Sequence, residues 1–384
     1  MAHFAGVLAR SGGMMYYRLR AACGFGNGAP APGRAIVAGV AVLGTGAWGT
    51  TLARLIAFER QRVAASEGTA AEEVLLWEHH PERASEMQRA RENRTYLPGF
   101  TLPENLRVTA DLADAAHGRD LVLVVTPSQK VREHMRAIAS LLAPATVVVC
   151  ASKGLELGTR LRLSQVAEEE LAPGPPIAAL SGPNLAVEIA RGLPAAAVVA
   201  SKSAAAAERV RAAVSTPRFR VYTSDDVAGV ELGGALKNII ALGVGISDGM
   251  SYGENSKAAF MTRALAEIAR IALAAGANPL TLAGLAGLGD LIATCSSPLS
   301  RNRTLGLELA KGRSLEEVLA ERKTVAEGVT TTRAALELAA DLGVELPITE
   351  QIALVLFEGK SVREAVIELM LREPKHELQG LGNT

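Results

Sequence analysis

Val42-Leu43-Gly44-Thr45-Gly46-Ala47-Trp48-Gly49 decides the fold of this chain. An apolar run, Ile36 to Leu43, leads into a G-x-G-x-x-G spacing, and a helical run follows it. A strand, turn and helix that hold a pyrophosphate need that order. Gly44 permits the tight turn, Gly46 lets the backbone approach the phosphates, and Gly49 lets the helix pack closely on the strand. The phosphates then meet the unpaired N–H groups of the helix N-terminus. In isolation the motif is equally a chance glycine-rich turn. At the head of repeated β-α-β units it reads as a dinucleotide fingerprint.

Those units are visible downstream. Apolar runs at Val74 to Trp77, Leu121 to Val125, Thr146 to Ala151 and Ala178 to Leu180 alternate with longer amphipathic stretches, and Ala196 to Ala200 and Phe219 to Tyr222 extend the series. Near-continuous apolarity predicts a parallel sheet covered on both faces. After Ser224 the strand pattern fades, and successive helices broken at Gly276, Gly312, Gly343 and Pro347 follow, with Asp225 or Asp226 capping the first. The expected fold is α/β: a Rossmann-like doubly wound sheet over 37–224 and an all-helical substrate domain over 225–384, after an extension at 1–36.

Size and composition agree. A chain of 384 residues is long for one hydrophobic core. Hydrophobic residues reach 49% with only 4% aromatics, so the interior is built from Ala, Val, Leu and Ile, which suits helices on a parallel sheet. Lys plus Arg balances Asp plus Glu, 40 against 40, so no global field attracts nucleic acid or an anionic membrane, and any anion must be captured locally. Cys23, Cys150 and Cys295 are distant and odd in number, which argues against a disulfide or metal framework; Cys295 reads as a small buried apolar residue. Ala35 to Ala53 is uncharged over a length that could cross a bilayer, but its Gly and Thr content fits a strand, turn and helix start. Residues 1–36 hold Arg10, Arg18, Arg20 and Arg34 and no acid, the balance of a transit peptide, of a disordered extension or of an upstream start.

Two further stretches carry candidate chemistry. The second strand ends in Trp77-Glu78-His79-His80, where a dinucleotide fold meets the adenosine ribose. Glu78 suits a ribose diol, whereas His79 and Arg83 suit a 2′-phosphate, so NAD and NADP both stay open. An apparent insertion, Arg60 to Glu73, lengthens the connection to this strand. In Gly234-Ala235-Leu236-Lys237-Asn238-Ile239-Ile240-Ala241 a single Lys stands in an apolar helical stretch. Burial disfavours an ammonium and brings such a Lys toward the range useful for acid–base work; a snorkelling helix lysine is the plainer alternative.

The Lys237 block closely resembles the signature of NAD(P)-dependent glycerol-3-phosphate dehydrogenases of the bacterial type. Ala151-Ser152-Lys153-Gly154, Ser181-Gly182-Pro183-Asn184, Gly287-Leu288-Gly289-Asp290-Leu291, Ser300-Arg301-Asn302-Arg303 and Val325-Ala326-Glu327-Gly328 resemble that family's blocks in order, over residues 40–365. The resemblance implies NAD or NADP as cofactor, and hydride exchange between glycerol 3-phosphate and dihydroxyacetone phosphate that supplies phospholipid synthesis. It implies Lys237 as the proton-exchanging catalytic residue. It places Lys153, Gly182, Asn184, Lys237, Asp290, Ser300, Arg301 and Asn302 at the substrate. The cofactor contacts it implies are Gly44, Gly46, Ala47, Trp48, Gly49, His79, Lys153, Ala186, Arg301, Val325 and Glu327. Many family members carry Thr or Ser where this chain has Asn184. A homodimer and a cytoplasmic address are further implied, or an organellar address if 1–36 is a transit peptide. Another two-domain hydroxy-acid or sugar-acid dehydrogenase, or a nucleotide sensor without turnover, are the rival readings.

Overall fold

The computed structural model describes residues 38–321, 326–374 and 376. The 1–36 extension and Val325 lie outside them.

The glycine motif forms the turn between β1 (Val40–Leu43) and α1 (Ala47–Glu67). Then come β2 (Val74–Trp77), α2 (Pro81–Ala90), a short ribbon of β3 (Glu92–Asn93) and β4 (Leu97–Thr101), β5 (Leu106–Thr109) and α3 (Leu112–Ala116). The second half runs β6 (Leu121–Val124), α4 (Val131–Ile138), β7 (Val147–Cys150), α5 (Leu163–Leu171), β8 (Ile177–Ser181), α6 (Ala186–Ala190), β9 (Ala195–Ala200), α7 (Ala204–Val214) and β10 (Phe219–Ser224). The main sheet has the order β10-β9-β8-β7-β6-β1-β2-β5. β1 lies between β2 and β6, with Val40 opposite both Val74 and Leu121, so the chain reverses its direction of winding at the carboxyl end of β1. Ligands bind at such a switch point in open α/β sheets.

Alternation within β1 shows why both faces are apolar. Val40 and Val42 join one buried cluster with Leu52 and Ile56 of α1, and Ala41 and Leu43 join another with Met135 and Ile138 of α4. The expectation of a wholly parallel sheet needs one correction: β9 pairs antiparallel with β8, and β10 is parallel to β9. The connecting α6 has only five residues. At about 1.5 Å per residue it is too short to carry the chain back along a strand rising about 3.3 Å per residue. Two further corrections are local. β5 was hidden because Arg107 interrupts its apolarity, although Leu106 and Val108 are buried as its alternation requires. Most of the apparent insertion from Arg60 is two more turns of α1, closed by Gly68 at φ 68°.

Beyond Ser224 the described chain is helical: α8 (Val227–Gly249), α9 (Gly253–Ala274), α10 (Asp290–Ser296), α11 (Arg301–Ala310), α12 (Leu315–Ala320), α13 (Glu327–Leu342), α14 (Pro347–Phe357) and α15 (Val362–Leu371). Asp226 caps α8, accepting from Gly229 N–H at 2.9 Å. Gly276, Gly312 and Gly343 take positive φ at helix ends, and Pro347 opens α14. α8 is the centre of this cluster. Among the described residues it is the one helix long and apolar enough to cross a bilayer, and almost all of it is packed inside the protein.

Candidate active site

The parallel strands deliver their following loops to one edge of the sheet. Gly44 follows β1 at φ 115°, where a Cβ would lie 2.8 Å from Val125 O. A Cβ on Gly49 would lie 2.0 Å from Gly44 O, so any side chain would push α1 off the turn, whereas one on Gly46 would meet nothing. No side chain caps the N-terminus of α1. Its N–H groups are therefore left for an anion, and the cradle fits a dinucleotide pyrophosphate. Of the other residues expected at the cofactor, Ala47 opens α1, and Trp48 lies 6.2 Å from the Phe219 ring with its buried Nε1 unbonded. Ala186 accepts from Thr51 Oγ1 at 3.2 Å.

At the carboxyl end of β2, Glu78 is fully enclosed and its oxygens are taken. Oε1 accepts from His80 N–H at 2.9 Å and Arg83 Nη2 at 2.7 Å and lies 3.1 Å from His79 Nδ1; Oε2 accepts from Thr45 Oγ1. Burial pushes this carboxyl up, but the Arg83, Thr45 and His80 hydrogen bonds outweigh it and hold the group below its ordinary range. Glu78 thus braces the glycine turn, with its side chain fully enclosed and both oxygens engaged. Ligand atoms of Glu78, His79 and His80 lie within 4.8 Å of one another, but the Glu78 carboxylate is held by Arg83, Thr45 and the His80 N–H. The His79 and His80 rings, 3.7 Å apart, are exposed beside it.

The densest chemistry lies where β7, β8, α8 and α10 meet. Lys153, in the loop after β7, donates to Gly182 O at 2.8 Å and to Asp290 Oδ2 at 2.6 Å. Lys237 on α8 donates to Asp290 Oδ1 at 2.8 Å and also bonds Thr294 Oγ1. Asp290 and Lys237 are 2% and 7% exposed, so one buried carboxylate holds two ammonium groups. Gly234 makes the approach possible: a Cβ there would lie 2.4 Å from Ser181 Oγ and 3.6 Å from Lys153 Cδ. Burial pushes Lys153 down to about 8, with Lys237 adding to the drop and Asp290 opposing it. Asp290 opens α10 directly after a π-helical turn, Leu285–Gly289. Its carboxylate faces the lysines, with Thr294 one helical turn along.

Asn184, after β8, has both amide atoms buried and unbonded, an open capacity for a ligand. Pro183 does not open a helix: α6 starts at Ala186, after Leu185. Ser300 caps α11, its Oγ accepting from Arg303 N–H at 3.3 Å, and Arg301 is the exposed first residue of that helix. Asn302 Oδ1 accepts from Gly328 N–H at 3.1 Å, and a Cβ on Gly328 would lie 2.7 Å from Asn238 O, so Asn302 sits close to the neighbour of Lys237. Glu327 bonds Ser128. Cys295 is buried and its thiol is pushed up to about 12 by that burial, consistent with an inert apolar role. Thr294 escaped the sequence reading although its i+4 spacing from Asp290 was a usable signal. Ser128 and Ser181 gave none.

A dinucleotide cradle at a sheet switch point, with a buried lysine–aspartate–lysine cluster further along the same edge, defines a nicotinamide-dependent dehydrogenase. Residues 39–207 match the N-terminal model, and 226–367 the C-terminal model, of NAD-dependent glycerol-3-phosphate dehydrogenase. The chain belongs to that family. It is 48% identical over 340 residues to the glycerol-3-phosphate dehydrogenase [NAD(P)+] of Citrifermentans bemidjiense, covering 88% of this chain and 98% of the relative. The enzyme of that name from Thermobifida fusca is 49% identical, with 89% and 99% covered. The crystal structure of the Coxiella burnetii glycerol-3-phosphate dehydrogenase superposes with a TM-score of 0.80 at 37% identity, covering 87% of this chain and 98% of that one.

Proposed function

We propose that this chain interconverts sn-glycerol 3-phosphate and dihydroxyacetone phosphate with NAD(H) or NADP(H), supplying glycerol 3-phosphate for phospholipid synthesis. The observation that carries the reading is the Asp290 carboxylate shared by Lys153 and Lys237 at the carboxyl edge of the dinucleotide sheet. When bound, the nicotinamide supplies or takes the hydride at C2.

Everything else falls to the protein. Lys237 gives a proton to the C2 oxygen as the ketone is reduced and removes it in the reverse direction. Asp290 stabilises the charged lysine and aims its Nζ. Lys153, Gly182, Asn184, Ser300, Arg301 and Asn302 hold the substrate, with a guanidinium, an ammonium and short polar groups suited to a phosphate dianion. Gly44, Gly46, Ala47, Trp48, Gly49, His79, Ala186, Val325 and Glu327 take the cofactor, with Lys153 and Arg301 serving both ligands. Burial of Lys237 and Asp290 excludes water from their pair and strengthens it. The test is oxidation of NADH or NADPH on adding dihydroxyacetone phosphate. Turnover should be present in the purified chain and lost in folded Lys237→Ala; a Lys237→Ala protein of near-normal turnover would remove Lys237 from the mechanism.

A further inference from the structure

The loops that leave β6 and β7 are strapped together. Ser152 Oγ donates to Thr126 O, Gln129 Nε2 donates to Leu155 O at 2.8 Å, and Leu157 N–H donates back to Gln129 Oε1 at 3.0 Å. Ser128, 2% exposed, sits between these straps. Its N–H donates to Glu327 Oε1 at 3.1 Å and its hydroxyl to Oε2, so the first residue of α13 is drawn onto the sheet edge by two bonds from one residue. Gly154 lies on the other side of Ser128. A Cβ there would stand 2.7 Å from Ser128 Cβ, 2.8 Å from its Oγ and 3.3 Å from Glu327 Oε2. Gly154 directly follows Lys153, whose ammonium is bound to Asp290. Ser128, Glu327 and the Lys153 loop therefore form one packed unit, and the glycine is what lets it close.

We propose that Ser128 is a positioning residue: its hydroxyl fixes Glu327 against the Lys153 loop and so couples the cofactor side of the site to the substrate side. The inference rests on the proposed roles of Glu327 and Lys153. A half-buried carboxylate that loses one of two donors turns toward another partner, and the loop packed on it shifts with it. Ser128→Thr retains the hydroxyl that makes the contact, whereas Ser128→Ala loses it.

NADH binding is followed by its fluorescence with and without glycerol 3-phosphate, alongside steady-state turnover of dihydroxyacetone phosphate. In the unmodified enzyme glycerol 3-phosphate should tighten NADH. In Ser128→Ala that tightening and kcat should each fall about tenfold, the scale of one charged hydrogen bond, while NADH alone binds within about threefold of normal. Ser128→Thr should restore both. A role in packing alone predicts the opposite order, with Ala tolerated and Thr impaired. If Ser128→Ala does not fold, Gly154→Ala, which displaces the hydroxyl without removing it, should show the same loss. Wild-type coupling and kcat in these variants would overturn the proposal, as would absence of coupling in an active wild-type enzyme. A wild-type chain that binds NADH but ignores dihydroxyacetone phosphate would instead sink the functional reading beneath it.

Discussion

Lys237 Nζ lies 2.8 Å from Asp290 Oδ1, while the other oxygen of the same carboxylate lies 2.6 Å from Lys153 Nζ. Removing the charge of Asp290 strands two cations in a site where breaking a buried pair costs roughly 3–5 kcal/mol. Asp290→Asn is expected to lower kcat at least about a hundredfold, because Lys237 loses both its aim and its charge partner. It should also lower thermal stability. Steady-state kinetics with a thermal melt check this. A stable Asp290→Asn enzyme with ordinary kcat would show that the carboxylate does not serve the lysines in turnover.

The position of Lys153, pushed by burial down to about 8, sets a pH dependence. Below that pH it is an ammonium able to hold an anion, and as pH rises through about 8 the charge is lost. The kcat/KM for dihydroxyacetone phosphate should therefore fall on an alkaline limb near pH 8, since this ratio reports groups of the free enzyme. Lys153→Arg keeps its charge and should move that limb upward, even at reduced overall activity. A limb unchanged in Lys153→Arg would assign it to another group.

How much of this was readable beforehand follows from where each signal lies in the chain. Gly44, Gly46 and Gly49 announce the cradle because turn, phosphate approach and helix packing impose a local spacing. The reversal at β9 was not legible, because apolarity reports burial and not strand direction. Lys237 was conspicuous in its apolar helix, but its partner stands 53 residues away at the start of α10. Only the family's ordered blocks linked the two. At Glu78 the acidic position was plain, whereas its bond from Thr45, 33 residues earlier, was not.

That closure of Glu78 bears on cofactor choice. Fully enclosed and with both oxygens already hydrogen-bonded, Glu78 presents no exposed negative charge, and Arg83, His79 and His80 surround it. NADPH should be used at least as well as NADH. Arg83→Leu uncovers the carboxylate and removes the cation, so the ratio of kcat/KM for NADPH over NADH should drop about tenfold or more, equivalent to about 1.4 kcal/mol. An unchanged ratio would place the discrimination elsewhere.

Away from the site, Glu267 on α9 predicts how stability changes with pH. It is 2% exposed and accepts from Ile348 N–H at 2.5 Å and from Thr349 N–H and Oγ1 at 3.2 Å each, holding the start of α14. Burial pushes its carboxyl up to about 7, only partly offset by those bonds and by Arg270. The folded chain therefore binds a proton that the unfolded chain releases near pH 4.5. Its contribution is fully present below that unfolded value and is lost as pH rises through about 7. A shift of that size amounts to about 3 kcal/mol across the window. Glu267→Gln cannot titrate, and its amide can still accept from Ile348 N–H and donate to Thr349 Oγ1. Urea unfolding of both proteins from pH 4.5 to 8 should show the parent losing stability relative to Glu267→Gln by about that amount. Parallel curves would mean that the carboxylate is already ionised at the low end, its charge carried by the N-terminus of α14.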